Sequence, residues 1–272
     1  MPEFPPVPAS YRFPDRSRYP ELEGYSRDDI YRDTFGGGAL YLAAEIARRL
    51  ELHPGQIVLD LGCGQGASSV FLARHYGVQV VALDLWTPAS KLNEKFTQEG
   101  FRDRIWPLNK DITEKLPFAE DYFDAIFCQN SLNFYGGSHQ FLVHLLKHLK
   151  PGGLIGVGME TLSAEMSPEM RQHPPAVYNY FLPGTDINVW EGDFSKMHSP
   201  GWWENLFRTS GLVEVLECRE LEDAEILYED LVRYQIEHQT DLDDVEISIK
   251  QLEYGKNNIL AKTLFVLTAR KL

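Results

Sequence analysis

The residues that offer chemistry begin with the stretch VLDLGCGQGAS, residues 58–68, in which Gly62, Gly64 and Gly66 follow a carboxylate at Asp60. Glycines in a turn let a ligand approach the backbone where a Cβ would collide. A helix starting at such a turn presents free N–H groups. Asp84 closes the next apolar run, VVALD, 18 residues after Gly66. An acidic side chain there meets the two hydroxyls of a ribose. This much also suits a nicotinamide dinucleotide, because residues 62–67 satisfy GxGxxA. Asp60 shifts the balance. A carboxylate two residues before the first glycine repels a pyrophosphate and suits a ligand with an ammonium nearby. Charge complementarity therefore favours a sulfonium nucleoside, S-adenosyl-L-methionine, over NAD.

The elements that must position these groups alternate. QIVLDL reads as a buried strand and GASSVFLARHYG as a helix closed by Gly77. VQVVALDL is a second strand. TPASKLNEKFTQEG is a helix with Thr87 as N-cap and Gly100 past its end. RIWPLN, FDAIFCQ and PGGLIGVGM supply three more strands, with the helix SHQFLVHLLKHLK before the last. The runs are continuously apolar, so helices must cover both faces of the sheet. The pattern specifies an α/β fold with a doubly wound, mostly parallel seven-stranded sheet. LVEVLECRELE and TLFVLTARK complete it as an antiparallel terminal hairpin, and a helical or loop insertion lies over the active site. Upstream, Ser26 is a helix N-cap, and the helix ALYLAAEIARRL ends at His53-Pro54-Gly55. Residues 1–25 are read as a Pro-rich N-terminal arm and 26–272 as one domain. Insertions at about 160–200 and 222–258 are expected to form a substrate cap.

At this point the chain resembles a class I S-adenosylmethionine-dependent methyltransferase of the small-molecule type, over roughly residues 30–160. DLGCGQG resembles the family's first motif, which implies that Asp60 and the glycines hold the methionine part. Asp84 matches the ribose-binding acid, with Leu85 beside the adenine. Asp111 and Ile112 resemble the motif that contacts the adenine amino group. FDAIFCQNSL resembles the fourth-strand motif and implies Asn130 near the transferred methyl. YRDTFGGGALYL resembles a segment that folds over the cofactor, so Tyr31, Phe35 and Gly36 to Gly38 are expected lid residues. The resemblance implies methyl transfer to a small-molecule acceptor and leaves that acceptor unnamed.

Around this core, Glu160 follows the fifth-strand run, and with His173 and His198 in the insertion it is a candidate base. Tyr135, Tyr178, Trp190 and Trp202 are candidates for substrate contact. Tyr180, Phe181 and Phe194 add to an aromatic lining. His144 and His148 have i,i+4 spacing, but their helix packs outside the sheet, and no metal site is expected. Cys63 is read as a small turn residue rather than a nucleophile.

The net charge of −14 argues against nucleic acid or an anionic membrane as partner. Three cysteines without a CxxC pair fit a reducing cytoplasm. The first residues hold no apolar signal segment and read as a mature start. A homo-oligomer stays open. Two other readings remain: a non-catalytic S-adenosylmethionine-binding module, and a NAD-dependent oxidoreductase.

Overall fold

A computed structural model describes residues 4–135, 137–181, 184–192, 196–240 and 242–272. Strands β1 (Ile57–Leu61), β2 (Gln79–Asp84), β3 (Ile105–Asn109), β4 (Phe123–Gln129) and β5 (Leu149–Leu162) are parallel, and β6 (Val213–Glu220) and β7 (Lys262–Lys271) close the sheet. The order is β3-β2-β1-β4-β5-β7-β6, with β7 antiparallel to both neighbours. Val58, Leu59 and Leu61 of β1 and Val80, Ala82 and Leu83 of β2 are buried, as a sheet covered on both faces requires. The chain leaves β1 toward β2 on one side and returns to β4 on the other. That reversal opens a crevice at the carboxyl ends of β1 and β4.

One face is covered by α2 (Ala39–Ala47), α3 (Ala67–Tyr76), α4 (Ala89–Gln98) and α9 (Ala224–His238), which share one apolar core. The other face packs against α5 (His139–Leu146) and α8 (Pro200–Thr209). Gly77 closes α3 in the left-handed conformation, and Ser26 caps α1 (Arg27–Tyr31) with a full capping box, as read from sequence.

Three boundaries differ from expectation. α2 ends at Ala47, and residues 48–50 continue as turns rather than helix as far as His53. Thr87 does not cap α4. Asp84 Oδ1 accepts from the amides of Trp86 and Thr87, both at 2.8 Å, so the chain turns about Asp84 and the helix starts after Pro88. The N-terminal segment is not a separate arm. Tyr11, Tyr19 and Leu22 belong to the same core as α2 and α3, and the Tyr19 hydroxyl donates to Asp223 at 2.7 Å. Arg12 pairs with Glu225 and Glu229 on α9.

Residues 222–258 likewise join the main core. Leu227, Tyr228 and Val232 of α9, and Val245 and Leu252 of α10 (Leu242–Gly255), belong to the same apolar core as α2 rather than standing off as a cap. The insertion after β5 carries α6 (Pro168–Gln172), α7 (Val189–Gly192) and a small core of its own around Leu162, Met166, Tyr178, Val189, Trp190 and Leu260. No described helix is long and apolar enough to cross a membrane.

Candidate functional site

The β1 tip turns at Gly62, whose amide and that of Cys63 both donate to the Leu83 carbonyl of β2, at 2.8 and 3.0 Å. This pins the turn to the neighbouring strand. The Gly64 amide then donates to Asp84 Oδ2 at 2.9 Å. Asp84 is buried and already accepts three backbone amides. A carboxylate has about four acceptor positions, so Oδ2 retains capacity for a ligand hydroxyl.

The three glycines serve different needs. A Cβ on Gly62 would lie 2.4 Å from Ser131 Cβ, and one on Gly66 would lie 2.6 Å from the Phe96 ring. Both are required by packing within the protein. Only Gly64 faces the open side, where the nearest atom to a Cβ would be Phe35 Cδ2 at 3.2 Å.

Asp60 sits lower than expected. Its carboxylate is buried and accepts the hydroxyls of Ser68 and Ser69 at 2.7 and 2.6 Å. It thereby ties the strand tip to the first turn of α3. Burial pushes its pKa up to about 6, partly offset by the two serine hydroxyls. Cys63 and Cys128 are also raised by burial, Cys128 to about 12, so neither offers a thiolate.

Asn130, at the tip of β4, has a left-handed backbone, φ 50°. Its Nδ2 donates to the carbonyls of Phe35 and Gly37, at 3.0 and 3.1 Å. Its Oδ1 accepts the Glu160 amide at 2.8 Å. Glu160 in turn accepts the Gly37 amide at 2.9 Å through Oε2, while Oε1 pairs with Lys262. Tyr228 packs on Gly37, where a Cβ would come within 2.3 Å of its ring, and Glu160 holds its phenol pKa well above the usual value, second to burial. The Glu160 carboxylate is thus committed to fixing residues 36–38. These contacts leave it poorly placed as a base.

Of the remaining sequence candidates, Gly38 starts α2, and Phe35 lies over the glycine turn with its ring 64 % exposed. Tyr135 reaches the turn as well: its hydroxyl would be 3.0 Å from a Cβ on Gly62. Leu85 is exposed beyond Asp84. Beside it Trp86 is 73 % exposed and meets Phe134 edge-to-face at 5.7 Å. This exposed pair was missed in the sequence; two aromatics just beyond the second and fourth strand runs were the available signal.

Other candidates are placed elsewhere. Tyr31 is buried in the core beside Tyr234, with its hydroxyl donating to Asp230 at 2.7 Å. Ile112 is core. Asp111 accepts the amide and hydroxyl of Thr113, which lower its pKa. Tyr178 is wholly buried with its hydroxyl on the Leu260 carbonyl, and Trp190 is buried with its indole N–H on the Arg171 carbonyl. Tyr178 builds the insertion's core, and Trp190 belongs to that core while also edging the insertion's polar cavity. His173 is an exposed helix end. His198 stacks on Trp202 at 3.7 Å and touches Glu165 and Arg171 through Nδ1. Tyr180 is part-buried against the insertion's core, and Phe181 is exposed. Phe194 lies outside the described residues. His144 and His148 contact the carbonyls of Ile112 and Ala119. Among the described residues no cluster of three or more His, Cys, Asp or Glu is arranged to hold a metal.

Fold and crevice together define a Rossmann-like protein with an open crevice at its topological switch point. Residues 58–153 match the family profile described as a methyltransferase domain. Over that stretch the chain is similar to the class I S-adenosylmethionine-dependent methyltransferases. It is 27 % identical over 110 residues to a glycine/sarcosine/dimethylglycine N-methyltransferase of Actinopolyspora halophila, covering 40 % of this chain and 20 % of that one. The chain spans between a fifth and about half the length of the first curated relatives it matches. A Haemonchus contortus phosphoethanolamine N-methyltransferase 2 structure superposes with TM-score 0.71 at 16 % identity, over 94 % of this chain and 59 % of that one. The [4+2]-cyclase SpnF superposes with TM-score 0.62 at 20 % identity, over 85 % and 80 %. At these identities the structures share the fold.

Proposed function

We propose that the protein binds S-adenosylmethionine at the β1–α3 turn and transfers its methyl group to a small-molecule acceptor. One observation carries the reading: Gly64 and Asp84 are joined at adjacent strand tips, beneath a segment fastened by Asn130. The residues fit the cofactor. Asp84 Oδ2 has room to accept a ribose hydroxyl, and Asp60 supplies negative charge behind the turn to match a cationic methionine end. When bound, the cofactor supplies an activated methyl. This chain's residues bind and orient the partners and exclude water, which is most of what such a transfer asks of a protein. Glu160, His173 and His198 are paired or outlying, and none is assigned as a base.

The relatives' names span glycine, sarcosine, sterol and phosphoethanolamine substrates, which supports a small molecule without choosing one. A polar cavity of about 440 Å³ lies in the insertion, lined by Arg171, Gln172, Asn179, Asn188, Trp190 and Glu191. The rival reading is a bound cofactor without methyl transfer, since one fold hosts more than one activity. Calorimetry with S-adenosylmethionine, S-adenosylhomocysteine and NADH tests the site. A metabolite screen with methyl-labelled donor tests transfer. Binding of NADH alone would sink the proposal, and binding without label transfer would favour the rival.

A further inference from the structure

We propose that residues 33–38 form a strap fastened across the glycine turn at both ends, and that Lys95 at one end and Asn130 with Glu160 at the other are positioning residues that set how fast the nucleoside is exchanged. The proposal rests on the crevice being the S-adenosylmethionine site.

At the first end a single ammonium does the fastening. Lys95 Nζ donates to Asp33 Oδ2 and to the Gln65 carbonyl, both at 2.8 Å. Gln65 lies between Gly64 and Gly66, so the strap is tied to the turn it crosses. Lys95 is itself well placed, because its neighbours Leu92 and Phe96 on α4 are buried beneath Gly66. At the second end Asn130 holds the Phe35 and Gly37 carbonyls, and Glu160 takes the Gly37 amide while paired to Lys262. Between the ends, Phe35 projects over Gly64. Its ring is mostly exposed, so burial does little to keep it there. The fastenings at 33, 35 and 37 hold it in place.

The two ends differ in strength. Asn130 and Glu160 make three hydrogen bonds to the strap, an exposed one at Phe35 and two part-buried ones at Gly37, and the Glu160–Lys262 pair behind them is only 14 and 16 % exposed. The Asp33–Lys95 pair leaves about a quarter of each side chain exposed, 26 and 22 %, so solvent and salt weaken it. The strap therefore opens first at Asp33 and pivots about Gly36–Gly38. A ligand seated on the turn is released through that opening.

The test is stopped-flow dissociation of S-adenosylhomocysteine, followed by tryptophan fluorescence, on the full chain. Lys95→Met and Asp33→Asn are expected to speed release about three- to tenfold, from a partly screened ion pair and one charged hydrogen bond. Lys95→Arg should restore a rate near wild type. Wild-type release should quicken with salt and the two variants should not. In any acceptor assay KM for the donor should rise with KM for the acceptor unchanged. Phe35→Ala, on an exposed side chain that does not threaten folding, should also speed release. Equal, salt-independent rates in wild type, Lys95→Met and Phe35→Ala would overturn the strap. Failure of wild type to bind S-adenosylhomocysteine at all would overturn the site reading itself, and that is seen before any variant is made.

Discussion

The Gly64 amide and the Asp84 carboxylate, 20 residues apart in sequence, are joined by one hydrogen bond of 2.9 Å across adjacent strand tips. That bond fixes the one glycine facing the crevice to the one acid with acceptor capacity to spare. Asp84→Ala removes both the turn anchor and the proposed ribose acceptor. Affinity for S-adenosylhomocysteine should fall by about 1–3 kcal/mol, the cost of unpaired polar groups in a part-buried site. Asp84→Asn, which keeps an acceptor oxygen, should fall by less. Calorimetry giving unchanged affinity for both would remove Asp84 from the site.

Asp60 makes a prediction about pH. Burial raises its folded pKa to about 6, above the ordinary carboxylate value. The folded state then holds the proton more readily than the unfolded chain. The stability this contributes is complete below the ordinary carboxylate range and is lost as pH rises through 6. That rise corresponds to about 3 kcal/mol. Asp60→Asn cannot titrate, so it should gain on wild type by about 2–3 kcal/mol between pH 4 and pH 8 in denaturant melts without cofactor. A stability difference that stays flat across that range would refute the buried, raised carboxyl.

The glycines separate packing from ligand approach. Both Gly62 and Gly64 have left-handed backbones, φ 74° and 53°, so alanine at either carries about 1–2 kcal/mol of backbone cost. Gly62→Ala adds a collision with Ser131 and should cost about 3 kcal/mol or more. Gly64→Ala meets only the exposed Phe35 ring and should cost less in stability, while weakening cofactor affinity. Ser131→Gly should recover part of the Gly62→Ala loss in a double-mutant cycle. Equal costs at the two positions, with no recovery, would contradict this division.

Much of this was legible in the sequence because strands buried on both faces announce themselves as unbroken apolar runs. VLDL, VVALD and FDAIFC lead directly to β1, β2 and β4 and hence to the crevice. Gly62, Gly64 and Gly66 were legible as a turn, but not as three different packing requirements. Those depend on Ser131, Phe35 and Phe96, which are distant in sequence. Asp60 read as a ligand contact because its spacing places it at the strand tip; only the fold shows Ser68 and Ser69 claiming its oxygen. Tyr31, Tyr178 and Trp190 misled for one reason. An aromatic in a segment without period reads equally as pocket or core, and tertiary packing decides. Lys95 carried no signal, since a helical lysine is ordinarily a solvated charge.

Trp202 and Trp203 give adjacent residues opposite duties. Trp203 is buried with Leu206 and Phe207 in the core of one sheet face, so Trp203→Ala should cost about 3–5 kcal/mol of stability. Trp202 instead stacks on His198 at 3.7 Å and presses on Gly137, where a Cβ would lie 2.2 Å from its ring. It thereby links the insertion to the segment that carries Tyr135 to the glycine turn. Trp202→Ala should cost roughly half as much in global stability, as a partly exposed side chain does. Its larger effect should be local. Amide exchange over residues 131–135 and 137–138 should quicken once Gly137 loses the ring packed on it. Measured side by side, a Trp202→Ala protein with normal exchange in that segment would mean that the insertion does not brace the site.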